Sequence, residues 1–390
     1  MSDEHAETMN LDLGEAEQIG ESLWELPPWH TYWGRFVYPL LVANQDRRLV
    51  PLGTAFAFSR LNHVLTARHS VEEALKKHHP NGDQFVRKGL EAARSGGTLD
   101  YTQFAIFSQG PNPRVGDATL NLRTFSSIHA APPTDLVVGN VLSDGPSTLT
   151  PTIIPMITFA PPRIGETVLC IGYSDMKVPD GGLPIDDIRE HRLNPYEAYS
   201  HRLFVAVGRV TNIFIERFTR GFGEGPCFTI DVDLPHGLSG GPILRSDGAV
   251  CGAVYCGASL LFDSPASVGA LLYPIFLLRL SFGISMANGS FRMNATERPV
   301  AELVATRAIR TDGAEERQLH FTPEGSGMRV GAAFHKDDAA FIFEDFAAFQ
   351  AGKPMPAETG CGKRYFRPNL ASPLVRKRQG LSGPPPRAMP

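Results

Sequence analysis

A serine lies in a glycine-rich sequence that suits acyl transfer. The motif GLSGGP at residues 237–242 follows one strand-like run and precedes another. Acyl transfer by a serine needs an exposed hydroxyl near a base, together with backbone N–H groups that bind the developing oxyanion. Gly237 allows a turn in which its N–H and that of Ser239 converge, and the glycines after Ser239 let a substrate approach the backbone closely. The motif predicts Ser239 as a nucleophile, with a glycine-rich turn of no catalytic role as the alternative.

A histidine and an aspartate stand where a general base and its orienting acid are needed. His69 follows the strand-like run HVLTA, and Asp135 opens the apolar run DLVV. A base at a strand end can turn one ring nitrogen to the nucleophile and the other to a carboxylate. Taken alone, each residue has an ordinary alternative, a structural histidine or a solvated strand-start aspartate. The order His69, Asp135, Ser239 along the chain favours a catalytic triad.

Three segments in the same order resemble the trypsin/chymotrypsin family of serine peptidases. They are GTAF…LTARHS from Gly53 to Ser70, TDLVV around Asp135 and HGLSGGPIL around Ser239. The resemblance covers about residues 33–285 and is strongest to the bacterial, disulfide-free branch of trypsin-like peptidases. It implies a chymotrypsin-like fold of two antiparallel six-stranded β-barrels with the active site between them. It also implies that Gly237 and Ser239 donate the oxyanion-hole N–H groups.

The same motifs disfavour an α/β-hydrolase. That fold requires a helix directly after its GxSxG turn and places the serine before the acid and the histidine in the chain. Here Pro242 follows the glycines, and Ser239 comes last.

Two residues depart from the secreted members of the family. Leu238 stands where zymogen-activated trypsins carry an aspartate that pairs with a newly cleaved N-terminus. That mode of activation is therefore not available, and control must come from the substrate, a partner or the additional segments. Ser70 follows His69 where secreted relatives have a cysteine.

The residues that would set substrate specificity are less well defined. Asp233 aligns without gaps to the position at which trypsin selects Arg or Lys side chains. A carboxylate at the floor of a pocket would stabilise a cationic side chain. Tyr255, Cys256 and Gly257 would form the edge on which an extended peptide pairs as an added strand. The alternatives are a solvated strand aspartate and a plain strand end.

The elements that position these residues are short β-branched and aromatic runs separated by turn residues. Long helices between them are not predicted, which favours a mostly β, antiparallel fold over a parallel sheet. A stretch rich in Pro, Ser and Thr at residues 143–156 would connect two halves. The predicted domains are an acidic flexible tail (1–27), a protease domain (28–288) with barrels at about 33–142 and 151–285, a small β-rich C-terminal extension (289–350) and a disordered tail (351–390).

Composition excludes several other classes of protein. The 390 residues are 42% hydrophobic with a formal charge of −4, which gives no reason to expect nucleic-acid binding. Nor does any apolar run reach the length of a membrane span. The five cysteines suggest neither a disulfide framework nor a zinc site, and the N-terminus lacks a secretory signal. We expect a cytoplasmic protein without metal or cofactor.

The sequence thus predicts an intracellular serine endopeptidase that acts on protein or peptide substrates. One version of this hypothesis is an effector in signalling or antiviral defence, held inactive by a regulatory protein partner bound through the C-terminal region. The alternative is a catalytically idle protease fold that serves as a binding or scaffold module.

Overall fold

A computed structural model gives the fold of the chain. It describes residues 16–26, 33–78, 104–111, 118–130, 134–141, 154–189, 200–214, 217–219, 222–257, 266–276, 278–285, 291–313, 319–324, 327–333 and 340–343.

Within the described residues, the first half of the chain consists of antiparallel strands and one α-helix. In chain order they are β1 (Glu17–Gly20), β2 (Leu23–Leu26), β3 (Val37–Ala43), β4 (Arg48–Ala57), β5 (His63–Ala67), helix α1 (Arg68–His78), β6 (Phe104–Pro111), β7 (Ala118–Ala130) and β8 (Leu136–Val141). A short 3-10 helix, Trp33–Arg35, precedes β3. The strand order β4-β3-β6-β7-β8-β5 is closed by pairing of β4 with β5, which makes a six-stranded barrel.

The second half forms another closed barrel. The described elements of this half are β9 (Thr167–Lys177), β10 (Leu183–Pro184), helix α2 (Ile185–Arg189), β11 (Ser200–Phe214), β12 (Arg217–Thr219), β13 (Phe222–Glu224), β14 (Cys227–Ile230), β15 (Pro242–Arg245), β16 (Val250–Gly257) and β17 (Ser267–Leu271). Of these, β10 pairs with β4 of the first barrel, and β12 and β13 form a separate two-stranded sheet. The order β11-β14-β17-β16-β15-β9 closes when β9 pairs with β11. The predicted chymotrypsin-like pair of six-stranded antiparallel barrels is confirmed.

Alternating burial shows why these segments are strands. In β11 the exposed Ser200 and Arg202 alternate with the buried His201 and Leu203, the two-residue period of a strand with one covered face. The central strands, such as β5, are buried along their whole length and consist mostly of apolar residues. Buried side chains of both barrels form one continuous core.

The N-terminal hairpin corrects the prediction of a flexible tail up to residue 27. Residues 17–26 form the β1–β2 hairpin, and β2 adds to the edge of β11 with Leu26 opposite Leu203. The physical reason is Leu26, which is fully buried in the core and ties an otherwise polar segment to the second barrel. Residues 1–15 and 27 lie outside the described part of the chain.

The C-terminal boundary predicted at residue 288 divides a single core. After β18 (Arg279–Ser285) and β19 (Phe291–Pro299), helix α3 (Val300–Ala305) buries Val300 and Leu303 among core side chains of the barrels. The backbone N–H of Arg60 donates to the carbonyl of Ala308, which joins this segment to the first barrel. The packed domain therefore reaches past α3.

The remaining described strands in the extension form a small antiparallel sheet of β20 (Leu319–Glu324), β21 (Gly327–Ala333) and β22 (Ala340–Phe343). Residues 351–390, predicted to be disordered, lie outside the description. Among the described residues, no helix combines the length and apolar character needed to cross a membrane.

Candidate active site

Strand pairing brings His69 and Asp135 together. His69 lies in the first turn of α1, directly after β5, and Asp135 directly precedes β8. Because β5 and β8 pair with Ala67 opposite Leu136, the ends of the two strands meet. Asp135 Oδ2 lies 2.8 Å from His69 Nδ1, and Asp135 Oδ1 accepts the His69 backbone N–H at 2.8 Å. The two bonds fix the carboxylate relative to the ring.

The surroundings of His69 favour its protonated form. Burial disfavours an imidazolium and by itself lowers the pKa of His69, but the charge of Asp135 and its hydrogen bond outweigh burial. Glu73 also raises the pKa of His69, and Arg68 opposes it. The net result is a pKa above the ordinary histidine value. Asp135 is only 2% exposed, so the charge that acts on the ring is shielded from water.

The Ser239 loop joins β14 to β15 in the second barrel and is held by β4 of the first. The backbone N–H of Thr54 donates to the carbonyl of Ser239 at 2.9 Å, and the Thr54 hydroxyl donates to the carbonyl of Gly237 at 2.9 Å. That hydroxyl also accepts the N–H of Tyr173 at 2.8 Å. Thr54 therefore couples the Ser239 loop to both barrels.

Two glycines in the loop combine a left-handed backbone with a lack of space for a side chain. Gly237 has φ +96°, and a Cβ there would lie 2.6 Å from the carbonyl oxygen of Tyr173. Gly240 has φ +85°, and a Cβ there would lie 2.2 Å from the carbonyl oxygen of Thr54. Residues with a side chain rarely adopt this left-handed backbone conformation, and neither position has room for a Cβ atom.

The loop leaves two N–H groups available for an oxyanion. Neither the N–H of Gly237 nor that of Ser239 has an acceptor among the residues that the structure describes. Leu238 lies between these two residues, and its fully buried side chain anchors the loop in the core. Unpaired N–H groups fixed in this way are the donors that a tetrahedral intermediate requires.

The hydroxyl of Ser239 points to the end of β16. It donates to the carbonyl of Tyr255 at 3.0 Å, and the Tyr255 ring lies 5.0 Å from the His69 ring, centroid to centroid. His69 Nε2 instead has Ser70 Oγ at 3.3 Å. The structure thus joins His69 to Asp135 and sets Ser239 beside Tyr255, without a direct hydrogen bond between Ser239 and His69.

The arrangement agrees with the result of sequence comparison. Residues 53–252, slightly more than half of the chain, match the trypsin-like peptidase domain family. The chain belongs to that family. The match includes His69, Asp135 and Ser239, and the α/β-hydrolase alternative does not apply.

Solved structures similar to this peptidase domain include the Rv3671c protease of M. tuberculosis. Its active form has 15% sequence identity and a TM-score of 0.34, with 61% of this chain and 76% of that chain covered. Its inactive form has 16% identity and a TM-score of 0.33, with 61% and 84% covered. Identities this low do not transfer an activity or a substrate. No curated protein matches the chain.

In the peptidase domain, the expected specificity residues lie near one another. Asp233 is exposed, and a Cβ built on Gly257 would lie 3.7 Å from its Oδ1. Tyr255 is half-buried, with its carbonyl taken by Ser239. Cys256 lies in β16, but its side chain is outside the described part of the structure.

Sequence reasoning missed two contributors to this site. Thr54 was visible only as part of the strand-like GTAF segment, and Ser70 only as the residue that replaces a cysteine. Both act through contacts that depend on the folded chain. Ser70 in addition neighbours His69 directly, and a hydroxyl next to a candidate base is a sequence feature that could have drawn attention to it.

Proposed function

We propose that the chain is an active serine endopeptidase with His69 as general base, Asp135 as its orienting acid and Ser239 as nucleophile. The observation that carries the proposal is the doubly hydrogen-bonded Asp135–His69 pair beside a Ser239 loop with two available N–H groups. Such a constellation is recognised by its geometry and the roles of its members.

The reaction follows from these contacts. Asp135 accepts the Nδ1–H of His69, so Nε2 is the ring nitrogen that takes the proton of Ser239 as Oγ attacks the peptide carbonyl. The N–H groups of Gly237 and Ser239 stabilise the oxyanion, and His69 then protonates the leaving amine. An acyl-enzyme remains. Water, deprotonated by His69, hydrolyses this ester and restores Ser239.

The end of β16 and the nearby Asp233 suggest which peptides the site would bind. We propose that an extended peptide pairs with the edge of β16 at residues 255–257, as in other cases of strand addition. Asp233, close to Gly257, would then face the side chain before the scissile bond and favour Arg or Lys.

The test is covalent labelling by a fluorophosphonate, together with digestion of a proteome-derived peptide library. Wild type should be labelled and should cleave peptides, whereas Ser239→Ala should do neither. A matched control is Ser59→Ala, which removes a buried hydroxyl 2.7 Å from Nδ1 of another histidine, His63. Labelling that persists in Ser239→Ala would contradict the assignment. Cleavage without preference for Arg or Lys would contradict only the role of Asp233.

One observation favours the idle scaffold as a second candidate. Ser239 Oγ bonds to the Tyr255 carbonyl instead of to His69. Absence of labelling in the folded wild-type protein would favour the scaffold function.

We also propose a cytoplasmic location and control by a partner. Cys170, Cys227 and Cys251 are buried cysteines that form no disulfide, as expected in a reducing compartment. Leu238 is buried where a zymogen would need a carboxylate, which leaves a regulatory partner as one means of control. In the effector hypothesis this partner belongs to a signalling or antiviral pathway.

A further inference from the structure

One nitrogen of His69 has two hydroxyl groups competing for it. With its Nδ1 proton donated to Asp135, a neutral imidazole has a single acceptor, Nε2. Ser70 Oγ lies 3.3 Å from that nitrogen. The nucleophile has to donate its proton to the same atom, so Ser70 and Ser239 exclude each other there.

In the structure, the Ser70 hydroxyl and not that of Ser239 lies within hydrogen-bond distance of His69 Nε2. A serine hydroxyl carries one proton, and that of Ser239 is donated to the Tyr255 carbonyl at 3.0 Å. Ser70 is only 5% exposed. A Cβ on Gly53 would lie 3.8 Å from Ser70 Oγ and 3.0 Å from the Ser239 carbonyl, so both serines lie at one point of the barrel interface.

We propose that Ser70 is a positioning residue that holds neutral His69 in a resting state and must release Nε2 before Ser239 can be activated. The proposal rests on the proposed peptidase function. In the exchange, Ser239 leaves the Tyr255 carbonyl and donates to Nε2, while the Ser70 hydroxyl rotates away. No covalent bond changes. A backbone N–H of an extended substrate that binds the Tyr255 carbonyl would favour this exchange.

The competition has a specific consequence for pH dependence. Ser70 donates only to neutral His69, because the protonated ring has no acceptor. Removing the hydroxyl therefore deletes a non-productive neutral state and leaves the protonated state unchanged. Well below the pKa of His69, the rate at which Ser239 reacts should stay the same. At high pH, where that rate reaches its plateau, it should rise, and the pKa of His69 should increase. The rise of the plateau and the shift of the pKa have the same origin, so a tenfold rise corresponds to a shift of about one unit.

The other groups that act on His69 stay in place in this comparison. They are Asp135 at the start of β8, Glu73 and Arg68 on α1, and the Tyr255 ring from β16. None of them depends on the Ser70 hydroxyl for a hydrogen bond in the structure. A change in the titration of His69 can thus be assigned to Ser70.

The experiment measures the fluorophosphonate labelling rate of Ser239 against pH in wild type, Ser70→Ala and Ser70→Thr. We expect Ser70→Ala to raise the plateau by about twofold to tenfold, the range of one net hydrogen bond, and to match wild type on the acid limb. Ser70→Thr keeps a hydroxyl and should restore the wild-type profile. Ser59→Ala, which removes a hydroxyl beside His63, should leave the profile unchanged.

A second measurement separates this proposal from the peptidase function. The pKa of His69 is read from its ring resonances by NMR, assigned by their loss in His69→Gln, and should rise in Ser70→Ala whether or not the protein is catalytically active. If wild type is not labelled, the peptidase function fails, and the NMR titration alone decides on Ser70. An unchanged pKa, or a lower labelling rate at every pH, would show that Ser70 has only a structural role and would overturn the proposal.

Discussion

The backbone N–H of Thr54 donates a 2.9 Å hydrogen bond to the carbonyl oxygen of Ser239. Thr54 belongs to the first barrel and Ser239 to a loop of the second, so this bond crosses the interface that contains the candidate site. The Thr54 hydroxyl adds bonds to the Gly237 carbonyl and the Tyr173 N–H. The backbone around Ser239 is therefore held by the barrel to which Ser239 does not belong.

Thr54→Val tests this coupling. Valine leaves the backbone bond to Ser239 intact but removes the hydroxyl, so that the carbonyl of Gly237 and the N–H of Tyr173 lose their partner. We expect a loss of about 1 to 3 kcal/mol in the free energy of unfolding, measured in urea. Displacement of the loop should lower the labelling rate of Ser239 by roughly tenfold to a hundredfold.

Thr211→Val is the matched control for that loss. Its hydroxyl lies 2.7 Å from that of Thr229 on the wall of the second barrel. The control should lose stability without a change in labelling. Equal labelling rates in Thr54→Val and wild type would show that the hydroxyl does not position the loop.

Gly240 and Gly248 offer a comparison at similar backbone conformation. Their φ values are +85° and +80°, but a Cβ at Gly240 would lie 2.2 Å from the Thr54 carbonyl, whereas one at Gly248 would meet nothing within 4 Å. Gly248→Ala should cost only the strain of a left-handed residue, about 1 to 2 kcal/mol in urea unfolding, and keep normal labelling.

Gly240→Ala should cost more than about 4 kcal/mol and abolish labelling, because the loop has to move away from the first barrel. A cost equal to that of Gly248→Ala would mean that the loop tolerates the added carbon by a small shift.

The triad candidates and the barrels could be predicted because local sequence carries them. Ser239 lies in a motif in which Gly237 and Gly240 adopt a positive φ, a local backbone conformation that glycine allows. His69 and Asp135 lie next to strands that are evident as apolar runs in the sequence. The pairing of these strands, β5 and β8, brings the two residues together. Such features need only a few neighbouring residues to be recognised.

The roles of Thr54 and Ser70 could not be predicted in the same way. The bond from Thr54 to Gly237 joins residues 183 positions apart, and no sequence pattern specifies which hydroxyl of a strand will face a loop so distant. The β1–β2 hairpin was missed for a related reason. Its first strand, β1, is exposed throughout, and the hairpin is tied to the second barrel by the pairing of β2 with β11 and by the burial of Leu26.

Asp135→Asn should change both the height and the position of the pH profile of labelling. A neutral His69 is needed as base, and its pKa lies above the usual value because the charge and hydrogen bond of Asp135 outweigh burial. Wild-type rates should therefore fall as the pH decreases through a value above 6.5. Without the carboxylate, the midpoint should move to lower pH, and the plateau should drop by roughly 10⁴-fold as the ring loses its tautomer.

The control is Asp186→Asn, which removes an exposed carboxylate paired with Arg47 and should leave the profile as in wild type. A midpoint that does not move in Asp135→Asn would mean that another group controls the titration of His69.

His129 should make the fold sensitive to acid. It is 4% exposed in the first barrel with Ser127 Oγ at 3.3 Å from Nε2, and burial, helped by His63, lowers its pKa from 6.5 to about 3. The folded protein keeps this ring neutral while the unfolded chain protonates it, so its contribution is complete above pH 6.5 and is lost as the pH falls below that value. The free energy of unfolding is measured in urea near neutral pH and at a pH of about 5. Between these conditions, wild type should lose roughly 2 kcal/mol more than His129→Gln, whose side chain does not titrate. Equal losses in the two proteins would show that His129 is already free to take up a proton in the folded state.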